Sequence, residues 1–141
     1  MRNACSPLLA LALLALPALG GCNKQRYELD TKSPANAGRV EIVLTVDKTG
    51  NGDISLTFEH LAPPQHIDES LSAYVVWVES AGKDAHKLGV LRYKPKKRTG
   101  ELEATYSQDK MKIIVTLEED TNVDAPTGAR VLEAEVVAPK P

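Results

Sequence analysis

The sequence predicts an all-β fold, an antiparallel β-sandwich of about seven short strands, on three observations. From residue 39 onward apolar residues recur at every second position. Turn-forming residues interrupt that alternation roughly every 8 to 12 residues. No segment sustains the 3.6-residue period of an amphipathic helix. Successive side chains of a strand point to opposite faces, so alternation means one buried face and one wet face.

Taken in order, "VEIVLTV" sets Val40, Ile42, Leu44 and Val46 on one face, and "ISLTFEHL" does the same with Ile54, Leu56 and Phe58. "AYVVWVES" is apolar on both faces from Tyr74 to Val78, as suits a central strand, and its Trp77 is expected as the plug between two sheets. "KLGVLRY" reads as one further strand with Gly89 inside it. "ELEATYS" turns Leu102, Ala104 and Tyr106 inward, and "MKIIVTLEE" turns Met111, Ile113, Val115 and Leu117 inward. "RVLEAEVV" closes the series with Leu132, Ala134 and Val136. A short turn is expected around Asp68 and Leu71. The folded part is one domain, residues 39–138, and a chain of this size buries about two-thirds of its surface, enough for a core without disulfides.

The stretch "DKTGNGDI" resembles the start of a calcium-binding loop. Counting from Asp47, such a loop needs oxygen ligands at its third, fifth and twelfth positions, here Thr49, Asn51 and Phe58. Phe58 offers no side-chain oxygen, and Glu59 comes one residue late, on the other face of a strand. Thr49, Gly50, Asn51 and Gly52 are also what a hairpin turn requires, because Gly and Asn accept positive φ at little cost. The stretch is therefore read as a turn without a metal. Asp47, Thr49, Asn51 and Asp53 are the residues a calcium site would use.

Upstream of the domain, "MRNACSPLLALALLALPALGGC" has the anatomy of a secretory signal: Arg2, an apolar run too short to span a bilayer, then small residues. Its end, Leu19, Gly20, Gly21 and Cys22, resembles a bacterial lipoprotein box. The resemblance implies a signal peptide over residues 1–21 and a diacylglyceryl thioether on Cys22, with a further acyl chain on its nitrogen in many bacteria. One acyl chain holds only marginally, whereas two or three anchor durably. Cys5 leaves with the signal, so Cys22 remains without a disulfide partner. Asn23, rather than Asp, after the cysteine leans towards the outer membrane. Residues 22–38 are then the lipidated cysteine and a polar, flexible tether with a typical span of roughly 22 Å, the alternative being that Tyr27 and Leu29 pair onto the domain as a partial edge strand.

Charge and the remaining motifs narrow the function. Of 17 Lys and Arg, removal of residues 1–21 takes only Arg2, leaving 16 − 19 = −3. An exported, mildly acidic domain offers no nucleic-acid footprint. "RYKPKKR" gathers Arg92, Lys94, Lys96, Lys97 and Arg98, a basic loop suited to anionic lipid or cell-wall polymers, with a plain solvated loop as the simpler reading. His60, His66, Asp68 and Glu69 share one loop region without a metal-ligand spacing. Glu101 and Glu133 are a conceivable cross-strand carboxylate pair, read first as a wet face. No nucleophile elbow, phosphate loop or dinucleotide fingerprint is present.

Residues 74–136 resemble the extracytoplasmic domain of anti-sigma-K-type factors. The likeness rests on Tyr74, Val75, Val76 and Trp77 as a Tyr-x-x-Trp strand, and on Leu88, Gly89, Val90 and Leu91 as a Leu-Gly-x-Leu segment. The strand ending in Glu118 and Glu119, the Pro126, Thr127 and Gly128 turn, and a last strand through Val136 complete it. The resemblance implies an immunoglobulin-like sandwich at the cell envelope. The zinc-binding anti-sigma motif is missing, so it implies no grip on a sigma factor. The expectation is a lipid-anchored, non-enzymatic envelope module without a cofactor. Its partners are the membrane, through the anchor, and an envelope protein or cell-wall polymer. A calcium- or ligand-responsive sensor using residues 47–53 and a small hydrolase are the alternatives.

Overall fold

The computed structural model describes residues 23–141, and the signal, the lipoprotein box and Cys22 lie outside the described residues. Two antiparallel sheets face each other as a β-sandwich. The first is ordered β1 (Lys24–Asp30), β2 (Arg39–Val46), β3 (Gly52–Glu59), β7 (Thr99–Tyr106) and β6 (Arg92–Lys94). The second is ordered β5 (His86–Val90), β4 (Ala73–Glu79), β8 (Lys110–Glu118) and β9 (Arg130–Val137). Counted from β2, this is the A-B-E-D sheet of an immunoglobulin sandwich set against its C-F-G sheet with a C′ strand added. The one helix among the described residues, α1 (Pro64–Ile67), is a single turn on the way from β3 to β4.

The alternation in the sequence is realised in burial. Val40, Ile42, Leu44 and Val46 of β2, Ile54, Leu56 and Phe58 of β3, and Ile113, Val115 and Leu117 of β8 meet in one core between the sheets. Leu132, Ala134 and Val136 of β9 join them, and Ala104 packs at the edge of the same core.

Four features differ from what the sequence suggested. The expected tether is largely structured, because Lys24–Asp30 pairs along its whole length with β2, Lys24 opposite Thr45 and Asp30 opposite Arg39. The domain therefore begins at β1 rather than at residue 39. Tyr27 and Leu29 supply only two half-buried apolar positions, too short a run for period two to register, but β2 offers an unpaired edge whose amides need partners. The chain then folds into a compact loop in which Ala35 is fully buried and Thr31 N donates to Gly38 O at 2.8 Å.

Trp77 is buried, but not between the sheets. Tyr74, Val76 and Val78 face the main core, so parity turns Val75 and Trp77 to the outer face of the second sheet, where they form a separate cluster with Ile114. The segment "KLGVLRY" is not one strand but two. β5 pairs with β4, then the chain crosses at buried Leu91, whose N–H donates to Tyr74 O, and β6 pairs with β7 in the other sheet. Finally, Glu101 and Glu133 stand on different sheets, β7 and β9, and do not form a pair.

Two predictions follow from the burial pattern. Backbone amides of Lys24–Asp30 should show hydrogen-exchange protection comparable to the other edge strands, whereas a flexible tether exchanges at the unstructured rate. Trp77→Ala should lower unfolding free energy by about 3–5 kcal/mol in denaturant titrations, the range for emptying a large buried site.

Candidate functional site

Three places on the surface and one beneath it gather chemistry-bearing side chains. The first is the turn between β2 and β3. Asp47 Oδ1 accepts from Thr49 N (2.8 Å), Thr49 Oγ1 (2.6 Å) and Asn51 N (2.9 Å), and Oδ2 accepts from Asn51 Nδ2 (3.2 Å). Gly50, at φ 88°, supplies the left-handed residue that closes the turn. Thr49 and Asn51 thus aim donors at the carboxylate, where a cation would want lone pairs. The Thr49 hydroxyl foremost, then the Asn51 amide, holds Asp47 down at about 2 against its ordinary 3.8. Asp53 lies in β3 opposite Thr45, apart from this network. Among the described residues no three His, Cys, Asp or Glu side chains gather closely enough to hold a metal ion. His60, His66, Asp68 and Glu69 are all exposed, and Asp68 caps its own turn through Ser70.

The second is the basic hairpin between β6 and β7. Arg92 and Lys94 flank Glu101, at 3.9 and 3.6 Å, so the register that pairs Arg92 with Glu101 neutralises part of this end of the strand. Lys96, Lys97 and Arg98 stand exposed on the turn itself. Arg98 has φ 54° and its carbonyl accepts from Leu61 N at 2.9 Å, which fixes the hairpin against the β3–α1 loop. Two phenols, tilted 56° to one another, secure the same loop. Tyr74 and Tyr93 lie 6.0 Å apart, centroid to centroid, and donate to the Ala62 and Leu61 carbonyls at 2.6 Å each. Burial pushes both phenols above their ordinary range.

The third is an open trough on the outer face of the second sheet, between the 80–85 and 124–126 segments. Glu79, Asp84, Lys112, Asp124 and Glu135 line it with both signs of charge, and Lys112 sits 3.6 Å from Glu79. The mixture favours no single ion.

Beneath the far end of that face lies the feature the sequence hid. Glu118, 2% exposed, ends β8 with its side chain turned to the outer face of the sheet. It accepts from Thr116 Oγ1 (2.6 Å), Thr127 N (3.0 Å), Gly128 N (3.1 Å) and the Thr127 hydroxyl. Trp77 Nε1 donates in turn to Thr116 Oγ1 at 2.8 Å. Burial alone raises this carboxyl, but the donors outweigh it, the Thr116 and Thr127 hydroxyls first, and hold it below 4.5. The network clamps the 119–129 segment over Trp77, with Val123 packed against the cluster. Gly128 is required here, because a Cβ would come within 1.5 Å of the Leu117 carbonyl oxygen. In sequence, Glu118 reads as the first of an acidic trio; the signal that could have found it is Thr116, a polar residue two positions before it on the same face of an apolar strand.

Compared with protein-family models, curated proteins and solved structures, the chain matches none.

The folded-state pKa of Glu118 lies below its unfolded value, so its contribution is complete above about pH 4.5 and is lost as pH falls through the folded-state value. Thermal melts of Glu118→Gln should accordingly lose less stability than the parent between pH 5 and 3, a window of about two units around the ordinary carboxylate value. At neutral pH the substitution should cost about 1–3 kcal/mol, with Trp77 fluorescence reporting the loosened cover. Carboxyl NMR titration of Thr49→Ala should find Asp47 moved up from about 2 towards 3.8, because its strongest donor is gone.

Proposed function

We propose that the protein is a lipid-anchored, non-enzymatic β-sandwich that serves the bacterial envelope as an interaction or structural module, at the outer membrane by the lean of Asn23. The observation that carries this reading is the closeness of anchor and body. The cysteine of the lipoprotein box is separated from the first residue of β1 by Asn23 alone. An anchor joined so directly to a rigid strand suits presentation of a fixed surface rather than a roving domain. The buried polar network supports the same reading: Glu118, Thr116 and Thr127 act on one another and on the backbone, holding a cover in place. Exposed Lys96, Lys97 and Arg98 are the surface offered to an anionic envelope polymer or an acidic envelope protein. The likeness to anti-sigma-K-type extracytoplasmic domains supports an envelope location and adds no activity.

Mass spectrometry of the mature chain tests the proposal. The expected product begins at Cys22, carries diacylglyceryl and acyl mass, and partitions with membranes. Cys22→Ser should leave residues 1–21 attached and abolish the added mass. An unacylated parent chain in the soluble fraction would overturn the anchor.

A further inference from the structure

We propose that the sandwich stands end-on upon its bilayer, with the tip made by the 47–51 turn, residues 107–109 and the chain after Val137 against the lipid headgroups, and with the basic hairpin at the opposite end. This orientation rests on the anchoring reading above and deepens it by naming the surface that meets lipid.

The argument is one of direction and slack. Asn23 is fixed, its carbonyl accepting from Val46 N at 3.1 Å, and Lys24 lies opposite Thr45, so β1 enters the sheet at the end where β2 leaves and β3 begins. The same end holds Tyr106, whose hydroxyl donates to Thr45 O at 3.1 Å, and Ala138, whose N–H donates to Asp109 O at 2.8 Å. Cys22 is one peptide bond beyond Asn23, about 3.8 Å between Cα atoms. Acyl chains on that cysteine therefore hold this tip, and not a side of the sandwich, at the membrane surface.

The composition of the tip fits headgroups. Lys24, Lys48, Lys83, Lys110 and Lys140 are exposed there beside Asp47, Asp53, Asp84 and Asp109, a mixed set that meets both the phosphates and the amines of lipid headgroups. Val137, 49% exposed, is the exposed large hydrophobic side chain among the described residues, and it lies at this end of β9, opposite Lys110.

The far end follows from strand length. β3 runs eight residues from Gly52 to Glu59, about 26 Å at ~3.3 Å per residue, and its partner β7 begins beside the basic hairpin, Gly100 opposite Phe58. That distance is about three Debye lengths at physiological ionic strength, so screening reduces the pull of the bilayer on Lys96, Lys97 and Arg98 to roughly a twentieth. The hairpin thus faces away from the membrane that carries the anchor, and its counterpart is not that membrane.

The test uses the full chain, isolated from envelopes and reconstituted into vesicles with nitroxide-bearing lipid headgroups, which quench a fluorophore only near contact. Thr49→Cys and Lys97→Cys each carry the fluorophore, and matching thermal midpoints show that both retain the fold. Several-fold stronger quenching at position 49 than at position 97, in neutral and in anionic vesicles alike, is the expected result. Equal quenching, or stronger quenching at 97, with the chain bound to the vesicles, overturns the orientation and leaves the anchor standing. A chain that stays in solution, with no acyl mass on Cys22, overturns the anchor and the orientation with it.

Discussion

The architecture depends on the two central strands of the second sheet, β4 and β8, being buried on both faces. β4 sends Tyr74, Val76 and Val78 into the space between the sheets and Val75 and Trp77 to the outside of its own sheet. A sheet with an apolar outer face needs a second cover, and the 119–129 segment provides it. That segment has little apolar surface of its own beyond Val123, so a buried carboxylate holds it instead. The arrangement works because Glu118 meets four donors and needs no cation: its charge is spread over two hydroxyls and two backbone amides. Removing one partner of such a network leaves the others buried without a mate, and this is why it is more costly to break than its net worth suggests.

The two ends of the sandwich are chemically unlike. One end carries the fixed N-terminal strand, the self-capped Asp47 turn and the segment after β9; the other carries the basic hairpin, the tyrosine pair and the clamped 119–129 segment. The Tyr74 and Tyr93 hydroxyls, the Arg98 carbonyl and the Glu118 carboxylate all tie loops down at the second end. That end therefore presents its charges from a stiff base, which lowers the entropy lost when a partner orders them.

The inward faces of β2, β3, β7, β8 and β9 were legible because each strand alternates over enough residues for period two to register. β1 was legible only as the alternative to a tether, because Lys24–Asp30 has only Tyr27 and Leu29 as alternating apolar positions, and its pairing is decided by the open edge of β2. Trp77 was legible as buried but not as outward, since five consecutive apolar residues carry no parity of their own. The basic hairpin stood out through Pro95 and its run of cations, yet its partial neutralisation by Glu101 depends on the β6–β7 register, which sequence spacing does not state. Glu118 escaped because a carboxylate beside Glu119 and Asp120 looks solvated, and only the return of Thr127 and Gly128 in space shows otherwise.

Tyr27 has a consequence for life at high local density. Its hydroxyl accepts from Val137 N at 2.9 Å and lies 3.4 Å from Val137 O, joining the outermost strand of one sheet to the outermost strand of the other. An edge amide of β9 is thereby occupied by the molecule itself. A neighbouring copy's strand therefore finds one fewer free backbone group to pair with along that edge of the sandwich.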